Sequence, residues 1–204
     1  MNNQLIISIG REFGSGGHKI AEALAETFGL KLYDKNLLEQ VAESKGSDLE
    51  AMLRYDESPK HIFGYRRVKG YSNSPRENIA QLQFDFLRER AEAGESFVVV
   101  GRCAETVLRE YPALVSIFVL SDISFKIEHL TEVLNVAEDE ALELIAKTDR
   151  VRKYYHNQFC KGKWGDSRNY DLCVNSALLG IDGTVAMLAD FIRDVMAARE
   201  ETNT

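Results

Sequence analysis

The sequence has no long apolar run and few cysteines. Its 204 residues include 3 cysteines, and no window approaches the roughly 18 consecutive apolar residues of a membrane span. The first residues also lack the basic and apolar regions of a secretory signal. Cys103, Cys160 and Cys173 are odd in number and show no spacing typical of a zinc site, which predicts plain buried thiols. We therefore expect a cytoplasmic protein without a membrane partner.

The sequence also lacks an excess of positive charge. The chain has 25 lysines and arginines and 32 aspartates and glutamates, which gives a formal net charge of −7. An acidic balance disfavours nucleic acid as the main partner, so a small-molecule ligand is the more natural expectation. The length predicts a single domain over residues 1–204 with a full hydrophobic core.

What the chain does have, close to its start, is a pattern typical of a phosphate-binding loop. An apolar run over residues 5–9 leads into a loop rich in glycine and then into an amphipathic helix. Glycine permits backbone angles that turn successive N–H groups toward an anion, which the helix N-terminus also attracts. We predict that the loop binds nucleotide phosphates, and a tight turn without a ligand is the alternative. The predicted phosphate-binding residues are Arg11, Gly14, Ser15, Gly16, Gly17, His18 and Lys19.

The loop does not match the dinucleotide-binding pattern in full. G-x-G-x-x-G/A would use Gly14 and Gly16 but requires a small residue where Lys19 stands. Asp34, after the second predicted strand, is placed where a ribose ligand would be. A Rossmann-type dinucleotide binder is therefore one alternative.

The P-loop pattern is also incomplete. With Gly16 as the second glycine of G-x-x-x-x-G-K-[ST], Arg11 stands at the first glycine and Gly17 at the lysine. His18 then replaces the hydroxyl residue. The exact spacing thus leaves both nucleotide-binding folds open.

Apolar runs alternate with helical patterns along the rest of the chain. They predict an α/β domain with about five mostly parallel strands. The predicted strands cover residues 5–9, 30–33, 97–100, 114–120 and 170–174. Helices are predicted after the glycine loop, over 36–44, around 79–87, shortly after 103, and over 124–134, 137–155 and 181–198. Residues 46–75 have no clear pattern, which is typical of a lid, an insertion or disorder.

Several segments together resemble the cytidylate kinase-like family, a divergent branch of the P-loop nucleoside monophosphate kinases. They are residues 9–19, 32–35, 98–104, 149–150 and 170–175, and the similarity extends over about 5–192. The resemblance implies a three-layer P-loop kinase fold with a small acceptor-binding insertion over 46–95 and a helical lid over about 146–169. The implied activity is phosphoryl transfer from ATP, with Mg²⁺ arriving on the nucleotide, to cytidine monophosphate or another small anionic acceptor.

The chain departs from this family inside the loop. Typical cytidylate kinases have the P-loop lysine where this chain has Gly17, and a threonine where it has Lys19. Our hypothesis is that Lys19, with Arg11 beside the loop, supplies the missing positive charge as a catalytic group. An exposed helix lysine is the alternative for Lys19. For the whole chain, the alternative is a nucleotide-binding regulatory protein that has lost turnover.

The resemblance also assigns an acceptor site. Gly101-Arg102-Cys103 resembles the Gly-Arg-Asp segment that holds the monophosphate in cytidylate kinases, and the planar fork of Arg102 suits phosphate. A structural ion pair is the alternative for Arg102. Cys103 replaces the aspartate, and a thiol is a poor acceptor for a cytosine amine, so the acceptor need not be cytidine monophosphate. Asp34 and Arg66 complete the predicted acceptor site, with a helix N-cap as the alternative for Asp34.

Lid arginines are the remaining predicted catalytic groups. Residues 147–155 resemble the lid pattern R-D-x-x-D-x-x-R, but only Asp149 is in place and both arginine positions hold other residues. The resemblance implies that Arg150 and Arg152, which lie nearby, neutralise the charge that develops during transfer. A solvated basic helix end is the alternative.

Overall fold

A computed structural model of the chain describes residues 4–34, 36–45, 50, 67–68, 71–72 and 75–202. The strands are β1 (Ile6–Arg11), β2 (Lys31–Tyr33), β3 (Arg67–Val68), β4 (Tyr71–Ser72), β5 (Phe97–Val100), β6 (Leu114–Leu120) and β7 (Leu172–Asn175). The helices are α1 (Gly17–Phe28), α2 (Leu37–Lys45), α3 (Pro75–Glu92), α4 (Ala104–Val107), α5 (Ile123–Leu134), α6 (Glu138–Phe159) and α7 (Gly180–Thr202). A short 3₁₀ helix covers Ser167–Asn169.

Five strands form one parallel sheet in the order β2-β5-β1-β6-β7. The prediction of about five parallel strands is confirmed. Parallel strands bring their carboxyl ends to one edge, and β5 is the direct neighbour of β1. The glycine loop after β1 therefore lies beside the Gly101-Arg102-Cys103 turn after β5, at the edge where open α/β sheets bind ligands.

Alternating side chains of the central strands fill two cores, one on each face of the sheet. In β5, Phe97 and Val99 pack with residues of α2, α3 and α4, whereas Val98 and Val100 pack with α1 and α7. Complete burial of one such side chain contributes about 1.5–3 kcal/mol. Because both faces are covered, the central strands β5 and β6 are almost entirely apolar, and the predicted three-layer arrangement is confirmed.

The observed helix ends follow capping and tertiary contacts. Gly29 has a φ of 62° and ends α1 by donating its N–H to the carbonyls of Ala25 and Glu26, as its position predicts. Helix α6 continues past the predicted end at residue 155 to Phe159, and α7 continues past 198 to Thr202. None of the described helices combines the length and apolar character needed to cross a membrane.

The predicted insertion over residues 46–95 divides into two parts. Its second half is α3. Ile79, Phe86 and Leu87 of this helix are buried in the core that also contains residues of α2 and α4, so α3 is part of the domain itself. In the first half, β3 and β4 form a short antiparallel pair. Arg66, predicted to bind the acceptor, lies outside the described residues.

Candidate active site

The loop between β1 and α1 has left-handed backbone angles at two of its three glycines. Gly14 has a φ of 82° and Gly16 a φ of 73°, a region that favours glycine. Gly17 is instead the first residue of α1, and the N–H of Ile20 donates to the Gly16 carbonyl at 3.0 Å. The amides of residues 17–19 therefore belong to the first helical turn and have no acceptor within the helix. This is the arrangement that binds phosphate at a helix N-terminus.

Three surrounding segments hold the loop in shape. The Phe13 N–H donates to Asp149 Oδ1 of α6 at 2.7 Å, and the Ser176 hydroxyl donates to the Ser15 carbonyl at 2.7 Å. Glu12 forms an ion pair at 2.9 Å with Lys126, a buried lysine of α5. A loop fixed in this way needs little reorganisation when charge develops on a bound phosphate.

Position 17 requires glycine for reasons of space. A Cβ there would lie 2.6 Å from the Cβ of Arg11 and 3.1 Å from its Cγ. The stem of Arg11 therefore passes beside the start of α1, through the space that a side chain at position 17 would occupy. Its guanidinium continues to Gly101, where an added Cβ would collide with Nη1. Arg11 thus extends from the glycine loop to the turn after β5.

Arg11, Arg102 and Arg152 concentrate positive charge at this edge of the sheet. Burial first, and then the charges of Arg152 and Arg102, lower the pKa of Arg11 to about 9 despite the opposing Asp34 and Asp149. The guanidinium still carries its charge at neutral pH, so the lowered pKa shows that this charge costs free energy here. A bound phosphate would relieve that cost.

Of the two predicted lid arginines, the structure brings Arg152 into this cluster. Its Nη1 donates to the Arg11 carbonyl at 3.3 Å and lies 4.0 Å from Asp149 Oδ1. The guanidinium also lies over the Phe13 ring, 5.4 Å from the centroid, and burial lowers its pKa. Arg150 is exposed on α6.

Lys19, the predicted substitute for the P-loop lysine, is exposed on the first turn of α1. It lies close to His129 of α5, where its charge adds to burial in lowering the pKa of that imidazole. Lys19 therefore lies at the exposed rim of the loop, whereas the stem of Arg11 lies beside position 17.

Asp34 lies between the turn that precedes α2 and the glycine loop. Its Oδ1 accepts a hydrogen bond from the Asn36 N–H at 3.2 Å, immediately before α2 begins. Its Oδ2 lies 3.5 Å from His18 Nε2 on the first turn of α1, and its charge acts on Arg11. The carboxylate therefore bonds to the turn that precedes α2, without capping the helix itself, and also faces the glycine loop.

The turn after β5 has an unusual backbone. Gly101, Arg102 and Cys103 follow one another with φ values of 74°, 57° and 55°. A left-handed conformation costs a residue other than glycine about 1–2 kcal/mol. Such strain persists where the surrounding structure imposes it, and it clusters at ligand sites. The turn keeps Arg102 within electrostatic reach of Arg11.

The same turn buries Cys103, against our expectation that it contacts the acceptor. Its side chain is 3% exposed and packs with Ala80, Phe84 and Cys160. The thiol therefore belongs to the interior between α3 and α6. This burial argues against a direct contact between Cys103 and an acceptor.

Directly behind this turn lies a buried cluster that we did not predict from the sequence, formed by Glu105, His156 and Cys160. Glu105 Oε1 lies 2.7 Å from His156 Nε2, and the two side chains are 2% and 6% exposed. Burial alone would lower the pKa of His156, but hydrogen bonds with Cys160 and Glu105 outweigh it and raise the pKa to about 10. The pair joins α4 to the last turns of α6. No sequence signal reveals it, because the partners are 51 residues apart.

Loss of the histidine in this pair should be strongly destabilising. We expect His156→Ala to lower the free energy of unfolding by about 3–5 kcal/mol, because Glu105 would stay buried without its partner. Urea denaturation measures the change. The matched control is Arg193→Ala, which breaks an exposed pair with Asp190 and should cost less than about 1 kcal/mol. Similar small losses in both variants would contradict the importance of the buried pair.

Comparison with known proteins identifies the family to which these features belong. The model of the cytidylate kinase-like family matches residues 6–178, a range that includes the glycine loop, Arg102 and α6. The chain belongs to the cytidylate kinase-like family. An uncharacterized protein from Eubacterium ventriosum ATCC 27560 is 39% identical, with a TM-score of 0.74 over 93% of this chain and 99% of that chain. No curated protein matches the sequence significantly.

More distant solved structures show the same fold. A shikimate kinase from Bacteroides thetaiotaomicron has a TM-score of 0.54 at 13% identity, covering 93% of this chain and 98% of that one. A gluconokinase from Sinorhizobium meliloti 1021 has a TM-score of 0.50 at 15% identity, covering 97% and 94%. With the family, this fold confirms the P-loop kinase interpretation and disfavours the dinucleotide binder. The prediction of a kinase-type enzyme is confirmed at the level of the family.

Proposed function

We propose that this protein transfers the γ-phosphoryl group of ATP to a small phosphorylated or otherwise anionic acceptor, with nucleoside monophosphates as the first class to test. The observation that carries the proposal is the course of Arg11, which joins the glycine loop to the turn that holds Arg102. One positive charge thus lies between a site for donor phosphates and a site for an acceptor anion. Phosphoryl transfer depends mainly on such positioning and charge.

The proposed donor site consists of the amides of residues 14–19 and the guanidinium of Arg11. The lysine of an ordinary P-loop reaches the transferred phosphate from position 17, and here the stem of Arg11 fills that space. We therefore propose that Arg11 takes over the charge of the lysine. Lys19 would at most contact the nucleotide from the exposed rim.

The proposed acceptor site is centred on Arg102, with Arg152 supplying charge to the transferring group from α6. Asp34 is the carboxylate beside the glycine loop, and its oxygen chemistry suits the water shell of a magnesium ion that arrives with the nucleotide. That ion would neutralise part of the phosphate charge. By analogy with the family, α6 and the segment after it would form the lid.

A screen of ATP consumption against all nucleoside monophosphates and common small anionic metabolites tests this function. We expect turnover with at least one acceptor. With that acceptor, Arg102→Ala should raise its Michaelis constant about tenfold or more, because a charged hydrogen bond contributes about 1.5–3 kcal/mol. The Michaelis constant of ATP should stay nearly unchanged.

Arg109→Ala is the matched control, since Arg109 is an exposed arginine just after α4. Equal changes in the Michaelis constants of ATP and acceptor would contradict the assignment of Arg102. Binding of ATP without turnover on any acceptor would instead favour a regulatory nucleotide-binding protein. This second function is favoured by the glycine at position 17, where an ordinary P-loop has its lysine.

A further inference from the structure

The buried cluster of Glu105, His156 and Cys160 has the composition of a metal site. One carboxylate oxygen, one imidazole nitrogen and one sulfur lie within 4.8 Å of one another, and all three residues are buried. Within the part of the chain that the structure describes, no other group of three such side chains is arranged this way. The proposed phosphoryl transfer makes no use of these groups.

The distances in the cluster are close to those between the ligands of a tetrahedral ion. Zinc bonds of about 2.0–2.3 Å place neighbouring ligand atoms roughly 3.3–3.6 Å apart. Glu105 Oε1 lies 2.7 Å from His156 Nε2 and 3.9 Å from Cys160 Sγ, one value below and one above this range. Shifts of under roughly 1 Å would bring both pairs to ligand spacing.

Cys103 is a buried neighbour of these three donors. Its side chain packs with Cys160, Ala80 and Phe84, but its sulfur does not belong to the group of donor atoms that lie within 4.8 Å of one another. Zinc in proteins is usually four-coordinate, and a carboxylate, an imidazole and a thiolate are three of the donors that it takes. The cluster therefore supplies three protein ligands and leaves the fourth position to water or another small donor.

The donor types of the cluster also suit a soft divalent cation. Thiolate and imidazole donors select zinc-like ions over magnesium or calcium. On binding, bonds form from the metal to Oε1, Nε2 and Sγ. The proton on Nε2, when the imidazole is charged, and the proton of the Cys160 thiol pass to solvent.

We propose that Glu105, His156 and Cys160 form a buried site for a soft divalent cation of the zinc type. The site would join the turn that carries Arg102 to the helix that carries Arg152. A bound ion would therefore fix the two elements that present these arginines. The three donor atoms define this site, and the acceptor has no part in it.

Cobalt(II) is a suitable spectroscopic probe because it replaces zinc in such sites. The full chain, stripped with a chelator under reducing conditions, should take up one equivalent of Co²⁺. Binding should produce a thiolate-to-cobalt charge-transfer band and the strong d–d bands of tetrahedral cobalt, and Zn²⁺ should abolish both. Absence of the charge-transfer band in the wild-type chain would overturn the proposal, whatever the folding of any variant.

Two variants then locate the site. Loss of even an outer-shell partner lowers metal affinity about 10- to 100-fold, so Cys160→Ser should weaken cobalt binding by at least that factor. Cys173→Ser is the matched control, since Cys173 lies on β7 outside the cluster, and it should bind as the wild type does. Equal binding by the Cys160 variant, or loss of binding in the control, would place the metal elsewhere. These titrations contain no nucleotide, so their outcome is separate from that of the kinase assay.

Discussion

Arg11→Gly is expected to lower the turnover number by about a hundredfold to a thousandfold, the usual effect of removing one preorganised charge from a developing phosphoryl transition state. The loss follows from the place of Arg11 between the glycine loop and the Arg102 turn. Steady-state kinetics with the best acceptor of the screen measure it. Lys19→Ala and Arg193→Ala, which remove exposed cations, should retain most of the turnover.

The decisive variant moves the positive charge from position 11 to position 17. Arg11→Gly combined with Gly17→Lys creates the ordinary G-x-x-x-x-G-K spacing and removes the stem that blocks position 17. We expect the double variant to regain a substantial part of the turnover that Arg11→Gly loses. Gly17→Lys alone should be inactive, because its Cβ would lie 2.6 Å from that of Arg11. A double variant no better than Arg11→Gly would show that Arg11 does not substitute for the lysine.

Arg152→Ala is expected to lower turnover by about a thousandfold or more while changing the Michaelis constant of ATP little. An arginine that acts on the phosphoryl transition state contributes about 10³- to 10⁵-fold to turnover in related chemistry. Arg152 lies at the glycine loop, held by the Arg11 carbonyl and the Phe13 ring. A selective loss of turnover would identify it as a group that binds the transition state more tightly than the substrate.

Arg150→Ala is the matched control for this experiment. It removes the same side chain two positions earlier on the same helix, about 160° away around the axis. The exposed Arg150 should tolerate the change with nearly unaltered kinetics. Equal losses from the two variants, or an Arg152 variant that mainly weakens ATP binding, would contradict the assignment.

One face of α6 explains why the two arginines differ. Asp149, Arg152 and His156 are spaced i, i+3 and i+7, which places them on the same side of a helix. They contact the Phe13 amide, the Arg11 carbonyl and Glu105 respectively. The helix therefore spans both loops of the candidate active site. Because the buried Glu105–His156 pair holds its last turns, α6 also extends beyond the end predicted from its sequence.

The local pattern of residues by itself determined the fold and the location of the phosphate loop. Nearly continuous apolar runs of four to seven residues indicate strands covered on both faces; β5 is wholly apolar and β6 is interrupted only by Ser116. Glycines at 14, 16 and 29 mark the left-handed positions of the loop and of the end of α1. These features depend on backbone angles and on a period of two or 3.6 residues, which neighbours in the chain impose on one another.

Only the tertiary structure decided which side chains meet. Arg11 and Gly101 are far apart in the chain, yet the pairing of β1 with β5 brings them into contact. The resulting course of Arg11 explains why position 17 has no room for a side chain. The burial of Cys103 depends on α3 and α6, and the contact between Glu105 and His156 crosses 51 residues. The cysteine spacing argued against a zinc site, whereas the folded chain brings sulfur, nitrogen and oxygen donors together. Such contacts arise from the packing of elements far apart in the chain. The periodicity within each element does not indicate which distant residues that element will contact.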